Sequence, residues 1–184
     1  MGVVLYGGAF DPPHLGHVAV AGSAREHFGV ERLVVLVSEH PAHRPVLASA
    51  ADRLALARAA FPVDDVQLDP YGRTVELLRA EAFDDPVFVI GADQFRGFLA
   101  WSEPAEVLER TRIAVATRPG IPRSELDAVL EQLDRPERVV FFEIEPNPAA
   151  STDIRARVAA GEPLDGLLPA AVARLVTELG LYRP

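Results

Sequence analysis

Short, almost continuous apolar runs alternate along this chain with longer segments of helical periodicity. The apolar runs predict six strands, at 3–6, 33–37, 66–68, 87–90, 113–116 and 139–142. The intervening and final patterns predict helices at 14–28, 51–61, 74–81, 94–99, 103–108, 125–133, 151–160 and 169–179. Strands without polar alternation are typical of a parallel sheet that is covered on both faces. The pattern therefore predicts an α/β fold, a doubly wound parallel sheet with a small helical part at the C-terminus.

The length and the apolar content of the chain predict a single domain over residues 1–184. The chain has 184 residues, of which 49% are hydrophobic, enough for one sizeable core. No repeat, low-complexity tract or linker interrupts the alternation of elements. In a doubly wound sheet, ligands bind beyond the carboxyl ends of the strands, at the point where the strand order reverses. We therefore expect the functional residues in the segments that follow the strands.

The amino-acid composition excludes several kinds of catalytic site and argues against some classes of partner. All 18 basic residues are arginine, which excludes a Walker A lysine and a Schiff-base lysine. The absence of cysteine excludes thiolate catalysis and cysteine zinc sites. A net charge of -9 without a basic block argues against nucleic acid or an anionic membrane as the partner. The first residues do not form a signal peptide and no apolar run approaches the ~18 residues of a membrane span, so we expect a cytoplasmic protein.

The most informative segment, GGAFDPPHLGH at 7–17, joins the first strand to the first helix. Gly7 and Gly8 allow the backbone to approach a ligand closely, and the unpaired N–H groups of the helix start suit a phosphate. His14 and His17 are three residues apart and project from one face, and Gly16 leaves room for a nucleotide. Two imidazoles at a phosphate site indicate stabilisation of charge on a phosphoryl group in transit. The alternative is a simple turn with packed histidines.

This segment resembles the GxFxPxHxGH motif of the nucleotidyltransferase superfamily, which also carries the HIGH motif of class I aminoacyl-tRNA synthetases. From residue 3 to residue 182 the chain resembles the bacterial nicotinate mononucleotide adenylyltransferases. The further segments that carry this resemblance are PAHRP at 41–45 with DRL at 52–54, RTVELL at 73–78, IGAD at 90–93 followed by Trp101, RPG at 118–120, STDIR at 151–155 and Gly-Leu-Tyr at 180–182.

The resemblance implies transfer of AMP from ATP to nicotinate mononucleotide, with release of pyrophosphate. It implies a catalytic role for His14, His17 and Arg155. It implies contacts to ATP by Gly7, Gly8, Ala9, Phe10, Gly16, Gly91, Asp93, Ser151 and Thr152. It implies contacts to the mononucleotide by His43, Arg44, Arg73, Thr74, Trp101 and Arg118. Mg²⁺ is expected with ATP, on phosphate and water ligands, because no carboxylate cluster indicates a metal site in the protein.

Each of these side chains also has a purely structural interpretation. Ser151, Asp93 and Thr74 all stand where a helix N-cap is expected. Trp101 is either a core residue or the residue that stacks on the pyridine ring. Arg118 is either a surface cation or a partner of phosphate.

Two departures from the family pattern concern the acceptor. The chain has Pro41-Ala42-His43-Arg44 where the family has Pro-Pro-His-Lys, so the charge is kept and the geometry changes. Arg73 stands in place of a tyrosine. It either pairs with the nicotinate carboxylate, which would favour the acid over the amide, or points outwards.

The sequence is also compatible with two other functions. One is adenylyl transfer to nicotinamide mononucleotide or to another phosphorylated acceptor such as phosphopantetheine; Trp101 and the IGAD segment speak against phosphopantetheine. The other is a nucleotide sensor without catalysis, against which the complete HxGH segment and Arg155 speak. The expected partners are the small molecules ATP and nicotinate mononucleotide, and the sequence is compatible with a homo-oligomer.

Overall fold

A single parallel sheet organises the molecule. The structure, a computed structural model, describes residues 2–41, 45–118, 120 and 122–183. Within these ranges six strands pair in the order β3-β2-β1-β4-β5-β6, all parallel. The strands are β1 Val4–Gly8, β2 Val34–Ser38, β3 Asp65–Asp69, β4 Val87–Gly91, β5 Arg112–Thr117 and β6 Val139–Glu143. The predicted doubly wound α/β sheet is confirmed.

Eight α-helices lie in the described ranges, and most of them connect successive strands. They are α1 Leu15–Phe28, α2 Ala50–Ala60, α3 Thr74–Ala80, α4 Ala92–Arg96, α5 Pro104–Arg110, α6 Arg123–Leu130, α7 Ser151–Ala160 and α8 Ala170–Glu178. Two short 3₁₀ turns lie at Phe98–Ala100 and Pro136–Arg138. The pattern predicted at 94–99 is therefore divided, since α4 begins at Ala92 and ends before Gly97. Pro104 begins α5, as proline often does at the first helical position.

Two hydrophobic layers cover the two faces of the sheet. Val4 and Tyr6 of β1 face the layer that includes buried residues of α1, α2, α7 and α8. Leu5, between them, faces the layer formed with α3, α4, α5 and α6. Successive side chains of a strand point to opposite faces, so a strand buried on both sides is apolar at every position. This double burial is the reason that the strands read as continuous apolar runs in the sequence.

The strand order places the reversal point at the centre of the sheet. β1 pairs with β2 on one side and with β4 on the other. The segments that leave β1 and β4 therefore diverge at the carboxyl edge and open a crevice there. Within the described part of the chain, no helix is long and apolar enough to cross a membrane.

Candidate active site

The connection between β1 and α1 is a tight turn that folds back on aromatic rings. A Cβ on Gly7 would lie 2.8 Å from the Phe88 ring, and one on Gly8 would lie 2.9 Å from the Phe10 ring. Phe10 itself is buried and has a positive φ of 51°. The two glycines are therefore required by the packing of the turn itself, in addition to any approach of a ligand. The Asp11–Pro12 peptide bond in this turn is cis.

The two histidines of the HxGH segment lie side by side at the start of α1. Their ring centroids are 3.8 Å apart and the planes are inclined by 32°. His14 is the N-cap of α1, and its backbone N–H donates to Nδ1 of His17 at 3.2 Å. Because Nδ1 of His17 accepts this bond, the proton of the neutral ring lies on Nε2. The predicted imidazole pair is thus present, with one tautomer fixed by the helix start.

The His14 ring is buried, which lowers its pKa and leaves one of its nitrogens without a partner among the described residues. Its exposed fraction is 9%, and desolvation lowers its pKa from 6.5 to about 4. Its buried Nδ1 has no hydrogen-bond partner among the described residues. A Cβ on Gly16 would lie 3.0 Å from Cε1 and Nδ1 of the His14 ring. Gly16 therefore leaves room for the His14 ring, and its expected contact with a nucleotide stays a prediction.

The start of α7 packs against the same turn. Oγ of Ser151 donates to the carbonyl oxygen of Pro12 at 2.9 Å. Nη1 of Arg155 donates to the carbonyl oxygen of Asp11 at 2.7 Å, and its Nη2 lies 3.4 Å from Oγ1 of Thr152. The N-terminal ends of α1 and α7 and a guanidinium group therefore meet at one place, a combination suited to polyphosphate.

The N-cap interpretation of Ser151 is wrong. The N-cap of α7 is Ala150, and Ser151 is the first helical residue. Its hydroxyl is used for the tertiary contact with the β1–α1 turn, 139 positions away in the chain. The same correction applies to Thr74, which follows the N-cap Arg73, and to Asp93, which lies two residues after the N-cap Gly91.

Asp11 is a buried carboxylate that sequence reasoning did not single out. Its exposed fraction is 3%. It accepts from the backbone N–H of Leu47 at 2.7 Å, from that of Ala48 at 3.1 Å and from the hydroxyl of Tyr182 at 2.8 Å. Nη1 of Arg155 lies 3.7 Å from its Oδ2. The partners lie 36 to 171 positions away, so no local pattern indicates them.

Arg53 is a second buried charge that sequence reasoning missed. Its exposed fraction is 1%, and its guanidinium donates to four carbonyl oxygens. These acceptors, at 2.6 to 3.2 Å, belong to Ala9, Ser38, Glu39 and Ala48. Desolvation lowers the pKa of Arg53, and the negative charge of Asp11 opposes this effect. The one signal in the sequence is the DRL segment at 52–54, for which the resemblance gave no role.

The carboxyl end of β4 brings two more of the predicted residues together. β4 ends at Gly91, whose N–H donates to Oε1 of Gln94 at 3.1 Å. The exposed carboxylate of Asp93 lies 3.4 Å from Nη2 of Arg118 and 3.7 Å from Nη1 of Arg96. Asp93 and Arg118 therefore form an ion pair across the ends of β4 and β5.

The residues expected to contact the mononucleotide are spread more widely. Trp101 is partly buried, and its ring centroid is 5.2 Å from that of Phe98 at the edge of the second hydrophobic layer. The Arg73 side chain is 60% exposed and lies 3.4 Å from the Glu76 carboxylate, one turn along α3. His43 and Arg44 lie outside the described residues.

In the described ranges, no three metal-ligating side chains cluster as a metal site requires.

Comparisons with known proteins identify the family of the chain. The model of the cytidylyltransferase-like family matches residues 5–157. The chain is 35% identical over 193 residues to a probable nicotinate-nucleotide adenylyltransferase of Bordetella avium, covering 98% of this chain and 97% of that protein. It is 33% identical over 199 residues to one of Rubrobacter xylanophilus, covering 100% and 92%.

A solved structure shares the fold at low sequence identity. It is the nicotinic acid mononucleotide adenylyltransferase of Plasmodium falciparum complexed with NaAD, with a TM-score of 0.79 and 14% identity over 98% of this chain and 96% of that one. The fold, the turn with its two histidines and the full-length relatives lead to one assignment. The chain belongs to the cytidylyltransferase-like family and, within it, to the nicotinate-nucleotide adenylyltransferases.

Proposed function

We propose that this protein transfers the adenylyl group of ATP to the phosphate of nicotinate mononucleotide, giving nicotinate adenine dinucleotide and pyrophosphate. The observation that carries the proposal is the meeting of His14, His17, Arg155 and two helix N-termini at the reversal point of the sheet. The full-length relatives bear the name of this activity. We also propose that residues 1–184 act as one nucleotidyltransferase domain, in the cytoplasm.

The reaction needs positioning and charge stabilisation more than proton transfer. An oxygen of the acceptor phosphate forms a bond to the α-phosphorus of ATP. The bond from that phosphorus to the bridging oxygen breaks, and pyrophosphate leaves with the electron pair. The acceptor oxygen is already anionic at neutral pH, so no general base is required. The protein's contribution is therefore in-line alignment and stabilisation of the charge that develops.

The two histidines would bind the α-phosphate. Nε2–H of His17 is a donor, because Nδ1 accepts from the backbone. His14 is neutral at pH 7, so one of its two ring nitrogens carries a proton that a phosphate oxygen would accept. Both rings thus stabilise negative charge as donors.

Arg155 and the start of α7 would hold the β- and γ-phosphates. Asp11 orients the guanidinium by accepting from one of its amino groups, so the phosphate contact is pre-organised. Ser151 and Thr152 lie in the first turn of the helix and would add donors. The turn residues Gly7, Gly8, Ala9, Phe10 and Gly16 would enclose the triphosphate, and Gly91 and Asp93 the adenosine ribose.

The mononucleotide would lie against the neighbouring segments. Trp101 would stack on the pyridine ring, and Thr74 and Arg73 would approach its carboxylate. Arg118 would contact phosphate after exchanging its partner Asp93 for the substrate. We assign His43 and Arg44 to the mononucleotide phosphate.

Mg²⁺ is the divalent cation that we propose to accompany ATP. The site includes imidazoles and guanidinium groups, which suit phosphate oxygens, and no three metal-ligating side chains cluster among the described residues. When bound to the triphosphate, the cation would neutralise charge on the leaving pyrophosphate. Its ligands would then come from ATP and water.

The decisive experiment is pyrophosphate release with Mg-ATP and a panel of acceptors. kcat/KM should be highest for nicotinate mononucleotide, lower for nicotinamide mononucleotide and negligible for phosphopantetheine. The variant His17→Ala should lower kcat by roughly 10²-fold with the fold intact, because one donor to the transition state is lost. Comparable values for the acid and the amide would replace the acid-specific assignment by a dual-substrate one. ATP binding without turnover of any acceptor would indicate a sensor.

A further inference from the structure

Tyr182, in the segment after α8, reaches the β1–α1 turn of the candidate active site. Its hydroxyl donates to Oδ1 of the buried Asp11 at 2.8 Å. The backbone of Tyr182 has a positive φ of 62°, which is unusual for a side chain of this size. Burial is the main cause that raises the pKa of Tyr182 far above its usual value, so the hydroxyl remains a donor at physiological pH. A specific polar contact therefore joins this segment to the turn.

The carboxylate that accepts from Tyr182 lies beside Arg155. Oδ2 of Asp11 is 3.7 Å from Nη1 of Arg155, which is an ion-pair distance but too long for a hydrogen bond. Nη1 donates instead to the backbone carbonyl oxygen of Asp11, at 2.7 Å. The guanidinium is thus directed by the backbone of the turn, while the neighbouring carboxylate stays at a distance from it.

Three donors from other parts of the chain hold the Asp11 carboxylate in this arrangement. Oδ2 accepts from the N–H of Leu47, and Oδ1 accepts from the N–H of Ala48 and from the hydroxyl of Tyr182. The exposed fraction of Asp11 is 3%, so water does not readily replace a donor that is lost. Because a buried charge with too few hydrogen bonds is costly, the carboxylate would then take another donor.

Arg155 is the cation best suited to supply that donor. Arg53 also interacts electrostatically with Asp11, but its guanidinium already donates to four carbonyl oxygens. Within the described residues, Arg155 donates to one carbonyl oxygen, and its Nη2 makes a longer contact of 3.4 Å with Oγ1 of Thr152. Loss of the Tyr182 hydroxyl would therefore tighten the pair of Asp11 and Arg155, and Arg155 would bind phosphate less well.

We propose that Tyr182 is a positioning residue for Arg155. By occupying the carboxylate of Asp11, it keeps the guanidinium available for the triphosphate. The inference rests on the proposed function, which assigns Arg155 to the β- and γ-phosphates of ATP. It predicts that the hydroxyl of Tyr182 raises the affinity for ATP without contacting it, and that the affinity for AMP, which lacks these two phosphates, does not depend on it.

The test is the dissociation constant for Mg-ATP in the absence of an acceptor, measured by calorimetry for the wild type and for Tyr182→Phe. The constant should rise about three- to tenfold in the variant, a coupling typical of side chains in one hydrogen-bond network. The constant for AMP should change by less than about twofold. A general structural role of Tyr182 would instead weaken the binding of both nucleotides alike, and that result would overturn the inference.

A double-mutant cycle tests whether the effect passes through Arg155. In an Arg155→Ala background, Tyr182→Phe should leave the dissociation constant for Mg-ATP unchanged, because the guanidinium through which it acts is absent. An equal rise in both backgrounds would contradict a role through Arg155.

Tyr71→Phe is the matched control. It also removes a hydroxyl that donates to a carboxylate, that of Glu81 at 3.3 Å. Tyr71 packs against the second hydrophobic layer, whereas Tyr182 packs against the first, on the other face of the sheet. The control should bind Mg-ATP as the wild type does, and a rise equal to that in Tyr182→Phe would overturn the inference.

Failure of the proposed function is visible separately, because nucleotide binding is measured without turnover. A wild type that binds Mg-ATP but transfers the adenylyl group to no acceptor would refute the proposed function, and the binding constants would still decide the role of Tyr182. Unchanged binding of Mg-ATP in a folded Tyr182→Phe variant of an active enzyme would overturn the inference alone.

Discussion

Burial sets the protonation state of His14. Desolvation of the ring lowers its pKa to about 4, so it is neutral throughout the physiological range. A neutral ring can donate to a phosphate oxygen without the cost of burying a charge. The residue that contributes most directly to the proposed chemistry is therefore also one that makes folding sensitive to acid.

We predict that His14 makes the free energy of unfolding fall as the pH is lowered from about 6.5 to about 4. In this window the unfolded chain binds a proton that the folded chain does not, so acid favours unfolding. The contribution is about 1.4 kcal/mol for each pH unit between the two pKa values. Denaturant unfolding of the wild type and of His14→Asn at several pH values measures it.

The comparison with His14→Asn is needed because Asp69 acts in the opposite direction. Burial raises the pKa of Asp69 to about 6, so its folded form gains protons, and stability, as the pH falls through that value. This contribution is common to both proteins and cancels in the difference. Equal pH dependence of unfolding in wild type and variant would contradict the assignment of the acid sensitivity to His14.

The two histidines of the HxGH segment could be found from the sequence, whereas the buried Asp11 and its partner Tyr182 could not. The spacing of His14 and His17 is a local pattern, and the segment around them carries a family motif. Asp11 and Tyr182 are 171 positions apart, and no periodicity connects them. The N-cap interpretation of Ser151 fails for the same reason, since a tertiary contact with Pro12 takes the place of the local preference.

At the scale of the elements, the bounds of a strand buried on both faces were predicted more accurately than those of the helix that follows it. The predicted strand at 87–90 differs from β4 by one residue, since both of its faces are covered and every position is apolar. The prediction of one helix at 94–99 was wrong in detail, because α4 ends before Gly97 and a 3₁₀ turn follows at Phe98–Ala100. Its apolar residues pack against the core in a short helix followed by a 3₁₀ turn, which periodicity alone does not distinguish from one helix.

Helix α1 allows a test of whether the His14 ring needs the space beside Gly16. In Gly16→Ala the new Cβ would lie 3.0 Å from the ring, so His14 must move by a few tenths of an ångström. We expect kcat to fall at least roughly tenfold, since small displacements of catalytic groups are costly. The melting temperature should change little, because alanine favours the helix by up to about 1 kcal/mol over glycine.

Gly22→Ala in the same helix is the matched control. A Cβ at this position would meet only the end of the Arg25 side chain, at 4.0 Å. The substitution should stabilise the protein by up to about 1 kcal/mol and leave kcat unchanged. Thermal unfolding and steady-state kinetics of both variants test whether the His14 ring needs this space. Full activity in Gly16→Ala would show that it does not.

At the scale of the whole molecule, an acidic protein carries a cationic site. The net charge is -9, yet Arg53 and Arg155 both donate to backbone carbonyl groups of the β1–α1 turn, which carries one buried carboxylate, Asp11. The ends of α1 and α7 add further positive potential. We therefore expect anionic substrates to be attracted by these local groups rather than by the overall charge, with arginine providing the positive charge without any lysine.

The absence of a metal-ligand cluster in the described part of the chain predicts how a chelator will act. If Mg²⁺ arrives on the ATP phosphates, EDTA should abolish adenylyl transfer and leave the melting temperature of the substrate-free protein unchanged. Mg-ATP should raise that temperature more than ATP with EDTA, because at equal concentration the ligand that binds the folded state more tightly stabilises it more. Thermal unfolding under the four conditions separates the two effects. A loss of stability on chelation without nucleotide would instead show that the protein holds a metal of its own.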